Sequence, residues 1–384
     1  MIVEELAWEE ATGWGKAGKI GDTAGLVLYF GATATLADGA RHAELCEAFP
    51  RAQVIGCSTG GQIDTHGLTD TRVTAVALRF EDTPLRLATV CIDHADDSRA
   101  CGATLGRHLS APDLAGVFML SDGLHVNGSE LVAGISAALP AGVPVTGGLA
   151  GDGPDFRRTL VGAGTMPPAE RRIAAVGFYG PAIRFGHGCG GGWDTFGPRR
   201  RISGAKGNVL HMLDDEPALD LYERYLGDEA AGLPGTALLF PLRIWDPARP
   251  EHDIVRTVLG IDREKRTMTF AGDVPEGWYA QLMHGRFGRL TQGAAEAAGS
   301  SAPAPGMAGD SLALLVSCIG RRLLMGQHIE DEIEAVAERL ALAGVSRRLG
   351  FYSYGEIGPH HVSGRCELMN QTMAVTTIAE VARA

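Results

Sequence analysis

Three strand–helix–strand units, each ending in a glycine-rich turn, constrain the fold of this 384-residue chain more than any other feature. The first begins at residues 25–31 and ends in VIGCSTGGQI, the second spans 116–153 and ends in VTGGLAGDG, and the third spans 312–357 and ends in LGFYSYGEI. Their unequal spacing excludes a solenoid and indicates duplicated lobes. Ligands of α/β sheets bind where such turns cluster at strand ends.

We therefore predict an α/β fold with two lobes, built from repeated strand–helix–strand units with additional β-hairpins. The hairpins are expected at 71–92 and 173–193. A boundary between about 193 and 215 gives a first lobe of residues 1–200 and a second of 201–384. The Ala/Gly/Ser/Pro-rich segment 296–311 predicts a mobile surface loop. The final CELMNQTMAVTTIAEV predicts one closing strand.

Composition narrows the class of partner. The net charge is −12, and the only basic tract is RRRI, so nucleic acid is not an expected partner. No apolar run approaches the ~18 residues of a membrane span, and the acidic start lacks a signal-peptide core, which together predict a cytoplasmic protein without membrane contact. The seven cysteines include no C-x-x-C, which argues against a disulfide framework and a zinc cluster.

The first glycine-rich turn is a candidate anion site. Successive backbone N–H groups of a glycine turn can form an anion-binding nest. In CSTGG the nest would consist of Cys57, Ser58, Thr59, Gly60 and Gly61, with two hydroxyls added, and would suit a carboxylate or a phosphate. The alternative is a tight bend with no ligand, since the P-loop lysine is missing.

The third turn places aromatic and acidic side chains together. Tyr352 and Tyr354 share one face of the strand, and Glu356 joins them if the strand continues. Such a wall would hold an amine or a flat ligand. Asp152 occupies the corresponding turn of the second unit, so Asp152 and Glu356 would line one cleft if the turns face each other. The alternative is a half-buried strand with hydroxyls at its edge.

Cys318 ends the first strand of the third unit, beside Arg321 and Arg322. Neighbouring cations would lower the pKa of its thiol, which makes it a candidate reactive thiol, metal thiolate or ligand contact. A buried, inert thiol is the alternative. Asp122 occupies the corresponding place in the second unit and is a further candidate for ligand contact.

His187 is the candidate haem axial ligand. It lies in FGHGCGGGWD, where the glycines would leave room for a large flat ligand. A histidine is a common proximal ligand of haem, and the absence of C-x-x-C-H excludes covalent c-type attachment. The alternative is a polar surface residue. We predict no other metal site.

Six blocks in this order resemble the FIST sensory domain family over nearly the whole chain: VIGCSTGGQI, SDGLHVNGSELV with TGGLAGDG, GNVLHMLDDEPALDLYERYLG, SCIGRR, GFYSYGEIGP and ELMNQTM. The resemblance implies a bilobed α/β module that binds a small ligand in bacterial signalling, and it adds Asn370 to the ligand-binding candidates. It also implies haem b as a candidate cofactor, nitric oxide as the signal and a separate histidine kinase as the partner. The family's usual histidine is Met369 here.

Three functional classes follow. The leading hypothesis is a stand-alone sensor, with haem and nitric oxide ahead of an amino acid or another metabolite as ligand. The second is a thiol- or carboxylate-dependent enzyme using Cys318 or the pair of Asp152 and Glu356. Because no known catalytic motif is present, we predict that the protein is not an enzyme. The third is a scaffold without a small ligand.

Overall fold

The protein is described by a computed structural model. The structure describes residues 1–15, 18, 20–302 and 307–381, without the side chains of residues 307 and 308.

The strands, in chain order, are β1 (Ile2–Glu9), β2 (Gly13–Trp14), β3 (Leu26–Gly31), β4 (Gln53–Ser58), β5 (Gln62–Asp64), β6 (Gly67–Thr69), β7 (Val73–Arg79), β8 (Leu85–Cys91), β9 (Leu114–Ser121), β10 (Val145–Leu149), β11 (Val161–Ala163), β12 (Met166–Ala169), β13 (Arg172–Tyr179), β14 (Ile183–Gly190), β15 (Trp193–Lys206), β16 (Val209–Leu213), β17 (Glu216–Pro217), β18 (Leu242–Trp245), β19 (Asp253–Arg256), β20 (Val258–Asp262), β21 (Thr267–Phe270), β22 (Tyr279–Gly285), β23 (Met307–Cys318), β24 (Arg347–Ser353), β25 (Gly355–Pro359), β26 (Cys366–Met369) and β27 (Met373–Val381). The α-helices are α1 (Thr33–Leu36), α2 (Ala40–Ala48), α3 (Ser98–Leu109), α4 (Gly128–Ala138), α5 (Ala218–Leu226), α6 (Phe287–Ser300), α7 (Ile319–Met325) and α8 (Ile329–Leu342).

The described strands form four sheets. Sheet A has the order β12-β11-β4-β3-β7-β1-β2, sheet B the order β14-β27-β23-β24-β5-β6, and sheet C the order β26-β25-β10-β9-β13-β8. Sheet D has the order β19-β18-β22-β15-β16-β21-β20, with β17 beside β16. The predicted α/β class is confirmed, but the hairpins expected at 71–92 and 173–193 do not form: β7 lies in sheet A and β8 in sheet C, and β13 lies in sheet C and β14 in sheet B.

Each of the three predicted units forms a parallel pair of strands joined through helices. β3 pairs with β4 in sheet A, β9 with β10 in sheet C, and β23 with β24 in sheet B. Parallel strands need a crossover connection, and the helices between them supply it. The sequence repeat therefore corresponds to one unit in each of three sheets.

The strand that follows each turn leaves its own sheet and joins the next. After the first turn β5 pairs antiparallel with β24, after the second β11 pairs with β4, and after the third β25 pairs with β10. The chain thus passes from sheet A to B, from C to A and from B to C. This cyclic exchange explains why three similar turns occur, because each must redirect the chain sharply.

The inner faces of sheets A, B and C enclose one apolar core. Alternation of side chains along a strand directs Leu28 and Phe30 inward, where Phe30 contacts Phe351 with ring centroids 4.4 Å apart. Val27 and Tyr29 point to the opposite face of sheet A and pack under α1 and α2. The helices accordingly cover the outer faces of these sheets.

A second lobe forms around sheet D and α5, with its own apolar core that includes Ile202, Leu221 and Phe270. The predicted boundary between residues 200 and 201 falls inside β15, and sheets B and C contain strands from both sides of it. The sheets do not divide at this boundary, so the two-domain division at residue 200 stays a prediction.

Two further local predictions were wrong. In the predicted loop, residues 296–300 belong to α6 and residues 307–311 to β23, while residues 303–306 lie outside the described residues. The predicted closing strand is two strands, β26 in sheet C and β27 in sheet B. The break at residues 370–372, called here the crossover, allows the chain to change sheets.

Candidate ligand site

The three glycine-rich turns meet at one junction. The N–H of Gly151 donates to the carbonyl of Ser58 at 2.9 Å, the N–H of Gly60 donates to the carbonyl of Tyr352 at 2.9 Å, and the N–H of Tyr354 donates to the carbonyl of Leu149 at 3.2 Å. The predicted clustering of the turns is therefore confirmed. Most of the backbone donors of the first turn, however, are used to build the junction.

The predicted anion nest in the first turn was wrong. The N–H groups of Ser58 and Thr59 donate to the carbonyls of Leu160 and Gly31, and the Ser58 hydroxyl accepts from the N–H of Leu160. The N–H of Gly61 reaches the Thr59 hydroxyl. Cys57 is fully buried in the central core. These groups point into the protein, so none of the donors is available to a bound anion.

Three of the cavities formed by the described residues have volumes of about 970, 930 and 400 Å³. The cavity of about 930 Å³ lies at the glycine-rich turns. This junction cavity is lined by Thr59, Gly60, Gly61, Asp152 and Arg322, among others. Its polar groups are largely paired with one another. Arg322 forms an ion pair with Asp70, 2.6 Å between Nη2 and Oδ2, and also donates to the Gly60 carbonyl.

Tyr354 and Asp152 secure the second and third turns to each other. The Tyr354 hydroxyl donates to Asp152 and accepts from the N–H of Phe156, whose ring stacks on Tyr354 at 4.4 Å between centroids. The other carboxylate oxygen of Asp152 accepts from the N–H groups of Arg157 and Arg158 at 2.8 Å each. Burial and the neighbouring carboxylate raise the pKa of Tyr354.

Glu356 does not face the tyrosines or Asp152, so the predicted cleft between the two carboxylates was wrong. The chain changes sheets at Tyr354, which turns Glu356 toward Ser353 instead. Its carboxylate accepts from the Ser353 hydroxyl at 2.8 Å and from the Thr372 hydroxyl at 2.9 Å. Burial raises the pKa of Glu356 to about 8, against the opposing effect of these hydrogen bonds.

The crossover is held by backbone contacts around Gln371. This residue has a φ of 62°, in the left-handed region that non-glycine residues rarely adopt. Its carbonyl accepts from the Trp193 indole at 2.7 Å and from the Arg321 guanidinium at 3.2 Å. Arg321 is fully buried and forms an ion pair of 2.9 Å with buried Glu332 of α8. The donors of Arg321 are therefore occupied by protein groups.

Asn370 begins the crossover and is fully buried. Neither its side-chain oxygen nor its side-chain nitrogen has a hydrogen-bond partner in the part of the chain that the structure describes. The residue lines a cavity of about 400 Å³, the crossover cavity, whose wall also includes Cys189, Trp193, His360, Met369 and Thr372. Both amide atoms are buried, so a ligand in the cavity contacts them only when the side chain turns toward it. An unpaired buried amide in a residue of the cavity wall is still the strongest indication of a ligand contact in the described structure.

The predicted low pKa of Cys318 was wrong. Burial raises the pKa of the thiol to about 12, and nearby Glu356 adds to the effect. The same cause raises the pKa of Cys189 to about 12. The Cys189 sulfur lies 3.1 Å from the sulfur of Met369, the residue at the family's histidine position. Buried protonated thiols of this kind are poor nucleophiles.

The glycines around His187 do not leave room for a ligand, contrary to the prediction. A Cβ on Gly186, Gly188 or Gly190 would lie within 2.2 Å of a carbonyl oxygen of or next to α6, so this face of β14 receives the helix. His187 points to the opposite face, where burial lowers its pKa to about 4. Its Nε2 is buried with no partner among the described residues.

Asp122 organises a turn. One carboxylate oxygen accepts from the N–H groups of Leu124 and His125 at 2.8 Å each, and the other accepts from the N–H of Arg171 at 2.7 Å. Asp122 is fully buried and lines none of the three cavities described above. The site candidates thus separate into a junction group, a crossover group, His187 in the wall of the cavity of about 970 Å³, and Asp122 alone.

Two adjacent family models match the chain: the FIST N domain over residues 25–216 and the FIST C domain over residues 218–359. The chain belongs to the FIST family. FIST domains are sensory ligand-binding domains of signalling proteins rather than catalytic ones. In this FIST protein, each of the three cavities described above is lined by residues from both matched segments or their flanks.

Other comparisons add little. No curated protein matches the chain. A solved structure described as PurLQS from Thermotoga maritima is 11% identical, covers 79% of this chain and 74% of its own, and has a TM-score of 0.21, which is too low to support a shared fold. Within the described ranges, no helix combines the length and the apolarity needed to cross a membrane.

Sequence reasoning missed Cys189, Gln371 and Thr372 as parts of the crossover. The block ELMNQTM contained the available signal, since a polar Asn-Gln-Thr run interrupts two apolar segments. Such an interruption inside a predicted strand marks a place where the chain leaves the sheet. A single closing strand over the whole block gives Gln371 and Thr372 no special position, and only the family resemblance points to Asn370.

Proposed function

We propose that this FIST protein is a cytoplasmic sensor that binds a small ligand in the crossover cavity and regulates a separate histidine kinase. The observation that carries the proposal is the unpaired amide of Asn370 in the wall of that cavity. Leaving a buried polar group unpaired costs about 1–3 kcal/mol. A ligand that pairs with the amide would recover that free energy, whereas an empty cavity would not.

The position of Asn370 connects ligand binding to the protein surface. The next residue, Gln371, donates from its side chain to the carbonyl of Leu238 at 3.0 Å. Leu238 lines an apolar groove of about 460 Å³, together with the exposed side chains of Phe156, Leu259 and Leu323. A ligand that binds one crossover conformation more tightly would shift the population of groove conformations. We assign the contact with the kinase to this groove.

Native mass spectrometry of freshly purified protein tests ligand binding directly. We expect a retained small molecule in the wild type and its loss in Asn370→Leu, which fills similar volume without polar atoms. The matched control is Gln327→Leu, an exposed amide of the junction cavity. If Asn370→Leu retains the small molecule and Gln327→Leu loses it, the ligand binds in the junction cavity, and the proposal is contradicted.

The assignment of the kinase contact to the groove is tested separately. Leu323→Asp introduces a charge into the groove, and we expect it to abolish regulation of the partner histidine kinase while ligand retention is unchanged. Exposed Leu342 lies outside the groove, so Leu342→Asp is the control. Equal loss of regulation in both variants would show that the groove has no special role.

Haem remains a second candidate, because one observation favours it. The neutral imidazole of His187, with its unpaired Nε2, lines a cavity of about 970 Å³ that also includes Arg184, Arg256 and Arg365. A neutral imidazole is the form that binds haem iron, and exposed arginine side chains suit the propionates. Arg184 and Arg365 meet that condition, whereas Arg256 is buried and donates to the carbonyls of Asp273 and Leu368. His187, Arg184 and Arg365 fit the group, and the bound iron would supply a binding site for nitric oxide.

A haem titration separates this candidate from the first. If His187 is the axial ligand, wild-type protein takes up one equivalent with a shifted Soret band, and His187→Ala does not. His361→Ala changes an exposed imidazole outside this cavity and is the control. Uptake that survives His187→Ala contradicts the axial role, and no uptake by the wild type removes the haem candidate altogether.

A further inference from the structure

We infer that the crossover cavity takes a small, flat, uncharged ligand with a carboxamide-like edge, the chemistry shared by nicotinamide and the free nucleobases. This inference rests on the proposed function for the location of the site and deepens it by naming the ligand class. It depends on the volume of the cavity, on the hydrogen-bonding groups that remain unpaired, and on the charges around them.

The walls suit a flat apolar body. The cavity holds about 400 Å³, near the lower end of the range of about 300–1,000 Å³ for small-molecule sites. Met283 and Met369 contribute thioethers, and Trp193 contributes an indole whose N–H is already bonded to the Gln371 carbonyl. Thioethers adapt to irregular surfaces and contact aromatic rings favourably, and indoles stack on flat groups.

The unpaired groups require both a donor and an acceptor from the ligand. The Asn370 side chain offers one carbonyl oxygen and one NH₂ group, and both are unpaired. A carboxylate can only accept and an ammonium group can only donate, so each would leave one side of the amide unsatisfied. A carboxamide, or the edge of a nucleobase, presents a donor beside an acceptor and pairs with both.

Other polar groups in the wall are already engaged. Thr372 donates its hydroxyl to Glu356 at 2.9 Å. His360 bonds through Nε2 to the Asp253 carbonyl at 2.9 Å, and its Nδ1 faces the N–H groups of Val362 and Ser363. His361 and Ser300 also line the cavity but are exposed to solvent, so Asn370 is the buried polar side chain of the wall that has no partner among the described residues.

The surrounding charges disfavour an anion. The wall includes the carboxylates of Asp253 and Glu296, and none of the described residues around the cavity is a lysine or arginine. Asp253 is paired with Arg243 at 2.8 Å, so it does not offer a free charge to a cation either. Burial lowers the pKa of His360, which keeps this imidazole neutral near pH 7. An uncharged ligand meets no opposing electrostatic cost.

Thermal unfolding with three probes of one shape tests the class. The probes are nicotinamide, nicotinate and 3-(aminomethyl)pyridine at equal millimolar concentration, with adenine as a second amide-like edge. A ligand specific for the native state must raise the melting temperature. We expect nicotinamide or adenine to raise it by a few degrees in the wild type and in Gln327→Leu, with no shift in Asn370→Leu and none from the two charged probes.

The outcomes separate the inference from the proposed function. A shift caused by nicotinate or the amine, and lost in Asn370→Leu, overturns the ligand class but leaves the site in place. A nicotinamide shift that persists in Asn370→Leu places binding elsewhere and overturns both. If neither nicotinamide nor adenine shifts the melting temperature, the class is wrong, and ligand retention in native mass spectrometry still decides the proposed function. Circular dichroism of Asn370→Leu verifies that this variant is folded.

Discussion

Gly60 and Tyr352, almost three hundred residues apart in the chain, are joined at the junction of the turns: the N–H of Gly60 donates to the Tyr352 carbonyl at 2.9 Å, and the N–H of Tyr352 donates to the Gly61 carbonyl at 2.9 Å. These bonds connect the end of sheet A to the end of sheet B. With the bond from Gly151 to Ser58, they make the three turns one structural unit. The junction of the three turns is therefore held by backbone hydrogen bonds between all three sheets.

Glycine at position 147 is predicted to be indispensable for this arrangement. Gly147 has a φ of 132°, and a Cβ there would lie 1.9 Å from the carbonyl oxygen of Met119 in the neighbouring strand. No rotamer change moves a Cβ, so relieving that contact would require an energetically costly shift of the backbone. We expect Gly147→Ala to lower the free energy of unfolding by more than about 4 kcal/mol, or to prevent folding.

The control for this variant is Gly288→Ala. Gly288 lies in α6, and a Cβ there has no heavy atom within 4 Å. Replacing glycine by alanine in a helix stabilises by up to about 1 kcal/mol. Urea unfolding of both variants gives the comparison, and similar stabilities for the two would contradict the close packing at Gly147.

The positions of the repeated units were predictable from the sequence because each unit carries an apolar strand, a helix and a glycine turn within about forty residues. The pairing partner of the strand after each turn was not predictable. β5 pairs with β24 and β11 with β4, and these long-range contacts depend on how three separate units assemble. One sequence contains no local signal for that assembly.

The pH dependence of stability is predicted to decrease when Glu356 is replaced by glutamine. Burial raises the pKa of Glu356 from 4.5 to about 8, so the folded protein binds a proton that the unfolded chain releases across that range. The contribution of Glu356 to stability is therefore greatest below pH 4.5, falls as the pH rises, and is lowest above pH 8. The total contribution is on the order of 5 kcal/mol.

Glu356→Gln keeps the shape and most hydrogen bonds of a protonated carboxyl group. We expect the wild type and the variant to differ little at pH 5 and the variant to be more stable by several kcal/mol at pH 9. Chemical unfolding at a series of pH values measures the difference. Parallel stability profiles for the two proteins would mean that the carboxyl group is already charged, or hydrated, in the folded state.

The cysteines are predicted to differ strongly in reactivity. Cys91 is exposed, Cys318 is buried and Cys189 is half-buried, and desolvation raises the pKa of the last two thiols to about 12. At pH 8 a thiol reagent should therefore modify native Cys91 quickly, Cys189 slowly and Cys318 only on unfolding. Cys91→Ser should remove the fast phase, and a fast phase lost in Cys318→Ser instead would restore the hypothesis of a reactive thiol.

The candidate site could be predicted only in part, and the reason is geometric. The repeat places Asp152 and Glu356 at equivalent positions and so predicted these two carboxylates in one cleft, whereas the residue of the third turn that contacts Asp152 is Tyr354. Glu356 was assigned to the wrong face, since alternation along a strand fails where the chain changes sheets. Asn370 was named through the family resemblance, but whether its amide is paired depends on packing from β14, β19 and α6, which no local pattern records.

The buried ion pair between Arg321 and Glu332 is predicted to support the crossover rather than to bind ligand. Both side chains are fully buried, 2.9 Å apart, and Arg321 also donates to the carbonyls of Leu290 and Gln371. Arg321→Met leaves the Glu332 carboxylate buried without its cation, which should cost about 3–5 kcal/mol. Arg263→Met, which removes an exposed ion pair with Glu223, should cost less than about 1 kcal/mol. Because Arg321→Met with Glu332→Met removes both charges, the double variant should recover part of the loss in urea unfolding; a double variant as unstable as the sum of the single ones would show that the two charges do not interact.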